Sequence, residues 1–256
     1  MDERKQGSFQ ESLAKLPAKT LFLGGIASGV LVLCTVGFFI MLGIFLGGNS
    51  GTLKTGGGAG VVADPSDPTL PDDANIELTV TDDDWYRGGK NADVTIVEFS
   101  DLECPFCKTF HPTMQQVVDE YGDKVKWVYR HFPLTSIHSK AQKEAEAAEC
   151  AGELGGNTGF WSYIDRVYEV TPSNNGLDLA KLPEIAQEIG LNKQKFETCL
   201  NSGKYAKKVQ ADAQSGVAAG ARGTPYSVII AGDQKIPLSG AMPFAQIKSA
   251  IDSLLQ

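Results

Sequence analysis

The stretch Asp93–Cys107, DVTIVEFSDLECPFC, sets a strand directly against a pair of cysteines. Its first eight residues are β-branched and aromatic, the composition of a β-strand. Cys104-Pro105-Phe106-Cys107 follows where the strand ends and a helix is expected to begin. Backbone N–H groups of a first helical turn are unpaired and the macrodipole is positive there, so a thiolate at Cys104 is stabilised and its pKa falls. Cys107, one turn on, is placed to attack a mixed disulfide formed at Cys104, the two-step logic of thiol–disulfide exchange. Pro105 suits a helix start, where its missing N–H has no intrahelical partner to lose. A structural disulfide or half of a zinc site are the alternatives. Zinc wants a second CxxC or a Cys/His pair at matching spacing, and Cys150 and Cys199 are isolated.

Outward from this stretch, IELTV (76–80) alternates briefly, and an Asp/Gly-rich interval separates it from the strand at 93–100. Cys104–Tyr121 reads as a helix that Pro112 should kink, and Lys124–Phe132 as a second strand with Val125, Trp127 and Tyr129 on one face. Strand, helix and strand make a βαβ unit. Residues 138–212 then carry helical patterning only, in SKAQKEAEAAECAGEL, FWSYIDRVYEV, LPEIAQEIG and KQKFETCLNSGKYAKKVQADAQSG. Tyr226–Ala231 and Lys235–Leu238 form strands around a Gly232-Asp233 turn, and Pro243–Gln256 closes as an amphipathic helix. The expected fold class is α/β (α+β): βαβ, a helical insertion at about 137–215, then ββα, in one domain covering 76–256.

CPFC after VTIVEFSDLE, a long helical insertion, and Gly223-Thr224-Pro225 before a strand resemble the DsbA-like branch of the thioredoxin superfamily over about residues 76–256. The resemblance implies a thioredoxin fold with an inserted helical domain and protein disulfide oxidoreductase activity. It implies Cys104 as the exposed nucleophile, Cys107 as the resolving thiol and Cys104–Cys107 as the redox-active disulfide. Pro225 would be the cis-proline facing that disulfide, with Thr224 offering backbone to a bound substrate chain. Glu98, six residues before Cys104, matches the family's buried acid. Many strongly oxidising relatives have His inside the motif where this chain has Phe106, which removes a cationic neighbour and instead offers a surface to an extended apolar substrate segment.

Read from the residues alone, Glu98 is a carboxylate between Val97 and Phe99 in an otherwise apolar segment. Burial would raise its pKa and let it accept the proton of Cys107; an edge-facing, solvated acid is the alternative. Glu103 is expected to be exposed, its charge slightly opposing the Cys104 thiolate. In an oxidising compartment four thiols outside the apolar span favour pairing, so a Cys150–Cys199 disulfide is expected, with two buried free thiols or a second relay as alternatives. Cys34 reads as an apolar filler. His111, His131 and His138 share no metal spacing and receive no catalytic role, and neither a metal nor a cofactor is expected.

The charge and apolar patterning of the whole 256-residue chain bear on where this domain works. A net charge of −8 has the wrong sign for a phosphate-backbone binder and argues against nucleic acid. Residues 21–46 hold no charged side chain over 26 positions, enough to span a bilayer as a helix and longer than a signal peptide's apolar region. Arg4, Lys5, Lys15 and Lys19 precede it, which places tail 1–20 in the cytoplasm and the rest outside by the positive-inside rule. Residues 47–75, with seven Gly and three Pro, form a linker. The expectation is a single-pass protein of the cytoplasmic membrane with an extracytoplasmic domain that forms disulfides in exported proteins. Its partners would be exported substrates bearing thiols and a membrane redox protein that reoxidises or reduces the CxxC pair. A reductase or isomerase would use the same residues, and a non-catalytic thioredoxin-like binding module is the alternative of a different class.

Overall fold

The computed structural model describes residues 76–255. The expected tail (1–20), span (21–46) with Cys34, and linker (47–75) lie outside the described residues. Among the described residues no helix is long and apolar enough to cross a membrane.

A five-stranded sheet carries the fold. It comprises β1 (Tyr86–Gly88), β2 (Val94–Ser100), β3 (Val125–His131), β4 (Tyr226–Ala231) and β5 (Gln234–Ser239), in the order β1-β3-β2-β4-β5. β2 and β3 run parallel, joined through α1 (Pro105–Tyr121); the other pairs are antiparallel. The helices α2 (Ala141–Val170), α3 (Leu182–Glu188), α4 (Lys193–Ser202) and α5 (Ala206–Ala218) fill the interval between β3 and β4, and α6 (Phe244–Leu254) closes the chain. This is a thioredoxin-like α/β fold with a helical insertion.

β2 is buried on both faces, as expected of a strand flanked by helices or loops on each side. Ile96 packs with Phe110, Met114 and Trp127 on the α1 side, whereas Val97 and Phe99 join Val128, Phe132 and Tyr226 on the other. Side chains alternate along a strand, so Glu98 falls on the Ile96 face, toward α1. That parity sends a carboxylate into the core beneath the cysteine pair.

Two elements differ from the sequence expectation. IELTV makes no strand, yet Ile76 and Leu78 are buried and Glu77 and Thr79 exposed, so its alternation records packing of an extended segment. That segment is held by side chains: Arg130 Nη2 donates to the Thr79 carbonyl at 2.7 Å and Lys235 Nζ to the Ile76 carbonyl at 2.5 Å. The true edge strand, β1, lies within the Asp/Gly-rich interval, where three residues carry too little pattern to signal a strand. As read from the sequence, α2 is two helices, around GEL and FWSY, that meet in a kink at Gly156, whose φ of 64° no helical residue adopts. α1 runs through Pro112 as one element.

Candidate active site

Cys104 caps α1 in extended conformation, and Pro105 occupies its first turn. The Lys108 N–H donates to the Cys104 carbonyl at 3.1 Å, closing the first turn. Cys107 therefore lies one turn along and inside the helix. Both thiols are reduced and buried. Cys104 is only 4% exposed, a difference from the exposed nucleophile that the resemblance implied. The Thr224–Pro225 segment lies over it: the peptide is cis, and the Cys104 thiol donates to the Thr224 carbonyl at 3.5 Å. Phe106, by contrast, is 66% exposed beside the motif. The structure thus brings Cys104, Cys107, Phe106, Thr224 and Pro225 to one surface, with Glu98 beneath it.

The two thiols are driven apart electrostatically. Cys104 is lowered to about 6, first by the Cys107 thiol donating to it, with the Thr224 side chain and the amides of Cys107 and Phe106 adding to the effect against burial. Burial pushes Cys107 well above the ordinary thiol range, reinforced by the Cys104 and Glu98 charges. Glu98 is likewise raised by burial, to about 7, against hydrogen bonds from Ser100 and Trp127. Trp127 Nε1 donates to Glu98 Oε2 at 2.9 Å, while Glu98 Oε1 is buried with no hydrogen-bond partner. An acid poised near neutrality with a free oxygen can exchange a proton with a buried thiol. The Ser100 hydroxyl favours the charged form of both Glu98 and Cys107, and Tyr168 Oη lies 3.0 Å from it.

Sequence reasoning missed the loop that presents Cys104. The Asp101 carboxylate accepts from the Glu103 and Leu134 amides and lies against His138 Nδ1, all at 2.8 Å, while its carbonyl accepts from the Cys104 N–H at 3.0 Å. Against burial, Asp101 raises the pKa of His138, and the Cys104 charge adds to that effect. A histidine distant in sequence is thus held against the loop that presents Cys104. Glu103 corrects the expectation of exposure: it is 0% exposed, turned under the insertion toward Glu144 and the Asn174–Asn175 turn. An Asp-Leu-Glu-Cys segment signals a turn but not what packs over it.

Two further clusters tie the insertion to the sheet. Cys150 in α2 and Cys199 in α4 are disulfide-bonded, Cα atoms 5.9 Å apart. His131, Glu149 and Asp212, from β3, α2 and α5, bring ligand atoms within 4.8 Å of one another, a convergence that sequence spacing did not reveal. They include a set that could hold a metal ion, but Lys208 Nζ lies 2.6 Å from Asp212 and 4.0 Å from Glu149 and supplies positive charge there.

A CxxC pair at a helix start, split electrostatically and covered by a cis-proline segment, is set in a thioredoxin-like fold. The family model for thioredoxin matches residues 80–253, and the chain belongs to that family. Pseudomonas aeruginosa DsbA2 is 30% identical, with a TM-score of 0.58 covering 69% of this chain and 97% of that one. Oxidised BdbD from Bacillus subtilis (24% identity, TM-score 0.57, 67% and 92% covered) and α-DsbA1 from Wolbachia pipientis (23%, 0.60, 71% and 95%) share the fold. The fold is that of the DsbA-like thiol–disulfide oxidoreductases. Curated relatives include the Na(+)/H(+) antiporter NhaA 3 of Salinispora tropica, 34% identical over 144 residues, 56% of this chain and 21% of that protein. The chain spans about a fifth of the length of these antiporters.

Proposed function

We propose that this protein is a membrane-anchored, extracytoplasmic thiol:disulfide oxidoreductase that forms disulfide bonds in exported proteins. The observation that carries the reading is the split between Cys104, lowered to about 6, and Cys107, buried and raised, with Glu98 behind them.

In the oxidising direction a substrate thiolate attacks Cys104 Sγ of the Cys104–Cys107 disulfide. The new S–S bond joins substrate to Cys104, and Cys107 leaves with the electron pair and takes up a proton, which Glu98 supplies. A second substrate thiolate then attacks the substrate sulfur of that mixed disulfide. Cys104 leaves as a stable thiolate, the better leaving group of the pair. Two electrons have passed from the substrate dithiol to the cysteines, and a membrane redox partner removes them. Thr224 offers its carbonyl and Phe106 its exposed ring to the substrate chain.

Oxidative refolding of a reduced test protein by the oxidised full-length chain tests this. Disulfides should form in the test protein and Cys104→Ser should abolish the activity; offered instead a disulfide-bonded test protein, Cys107→Ser should attack it through Cys104, release one substrate thiolate and accumulate the mixed disulfide. Adducts in Cys104→Ser but not in Cys107→Ser would invert the roles.

A further inference from the structure

We propose that Glu103 and Glu144 hold a single proton between them, and that this carboxyl–carboxylate pair positions the Cys104 end of the active-site loop against the helical insertion and fixes one negative charge beside the motif. Its effect on exchange rests on the oxidoreductase reading; its existence does not.

Glu144 lies in the first turn of α2 and Glu103 immediately before Cys104, and neither is exposed. Both oxygens of Glu144 and Oε1 of Glu103 are buried without another hydrogen-bond donor. Both sit at the Asn174–Asn175 turn: Glu103 accepts from its amides, and Lys140, one turn before Glu144 at the start of α2, donates to the Asn175 carbonyl. Two bare carboxylates in such a place would repel each other and remain desolvated, whereas one proton turns the contact into a charge-assisted hydrogen bond. Burial and then the Glu103 carboxylate push Glu144 up to about 10, with Asp101 adding to the rise.

Among the described residues Lys140 is the one cation that acts on Glu144, and it lowers its pKa less than burial and Glu103 raise it. Lys140, at the α2 N-cap, has its ammonium committed to the Asn175 and Leu177 carbonyls at 2.7 and 2.6 Å. Asp101 is engaged by two amides and His138, and Tyr163 donates to the Leu182 carbonyl at 3.1 Å. Cys104, next in the chain, adds a negative charge when ionised. Glu103 in turn holds the insertion: its Oε2 accepts from the Asn175 N–H and its carbonyl from the Asn174 N–H. Ser173, Asn174 and Asn175 all have positive φ, at 64°, 51° and 65°, a conformation that L residues adopt only where surrounding contacts impose it. The pair is one of those contacts.

The charge of the pair opposes ionisation of Cys104, so it restrains the oxidising power of the disulfide. The test compares full-length wild type, Glu144→Gln and Glu103→Gln/Glu144→Gln by thiolate absorbance against pH. In Glu144→Gln an amide donor replaces the shared proton and the charge is unchanged, so the Cys104 midpoint stays within about 0.3 pH unit of wild type. In the double variant the charge is gone. The midpoint falls by about 0.5–1 unit, and the equilibrium constant for oxidising a substrate dithiol rises about three- to tenfold. Equal midpoints in the two variants overturn the proposal. A second readout needs no double variant: in 13C NMR of carboxyl-labelled glutamate, a resonance distinct from that of Glu98 stays protonated to about pH 8 and vanishes in Glu144→Gln. Its absence in wild type overturns the shared proton. Failure of the oxidoreductase reading looks different, since midpoints would still move while no substrate is oxidised.

Discussion

A thiol lowered from 9.0 to about 6 is largely ionised at neutral pH, and the ionised form exists only in the reduced protein. Because the folded value lies below the unfolded one, the stabilisation is complete above about pH 9 and is lost as pH falls through about 6. It amounts to roughly 1 kcal/mol at pH 7. Denaturant unfolding of the reduced and oxidised forms should therefore show the reduced form losing ground between about pH 8 and pH 5; a constant difference across that range would remove the thiolate from the account. Glu98 gives a second prediction. Its value of about 7 means that attack by Cys107 on a mixed disulfide should accelerate as pH rises through neutrality, and Glu98→Gln should slow it by about 10²-fold and flatten the profile. Stopped-flow decay of a preformed mixed disulfide reads this directly. Cys104, Cys107 and Glu98 were legible because one strand-to-helix junction contains all three and strand parity fixes which way the acid points. Asp101 with His138, and Glu103 with Glu144, were not. Each pair is completed by a residue from 37 or more positions later, so burial of Glu103 depends on packing that no local pattern records.

Among the elements, α2 is where the insertion and the sheet meet, and its sequence is constrained accordingly. A Cβ on Gly152 would stand 2.4 Å from the Trp85 ring, and that ring is stacked on Phe160 and bonded to Glu149, so it has little room to yield. Gly152→Ala should destabilise by about 1–3 kcal/mol in denaturant unfolding. Gly156 differs: nothing lies near its missing side chain, and only its positive φ demands glycine. The Cys150–Cys199 disulfide closes an interval of 49 residues. In the chain-entropy model, replacing both cysteines by alanine costs about 4 kcal/mol, while alkylation of the active-site pair after mild reduction should leave this bridge unlabelled. The long helices and β2, β3, β4 and β5 were legible from periodicity and composition. β1 was not, since three residues signal nothing by themselves and its pairing with β3 gives it its identity.

For the whole molecule, the reading couples an acidic domain to an apolar span that precedes it. Excluding the first twenty residues, the chain carries a net charge of −9, so its association with substrates should be sensitive to ionic strength where those are basic. The proposed topology predicts that alkaline carbonate leaves the protein in the membrane pellet and that external protease degrades the domain while sparing the N-terminal tail. Release into the supernatant would remove the anchor from the proposal. Direction of electron flow belongs to this scale as well, because it depends on the relative stability of two redox states of the entire fold. Phe106 removes one cationic neighbour from the motif, and the helix terminus, the Cys107 thiol and the Thr224 side chain act without it. The equilibrium reduction potential of the Cys104–Cys107 pair in the full-length protein, titrated against glutathione, tests this most directly. The account predicts a value between about −270 mV, that of thioredoxin, and about −120 mV, that of DsbA, accompanied by oxidation of substrate dithiols. A potential at or below that of thioredoxin, with rapid reduction of substrate disulfides, would contradict it.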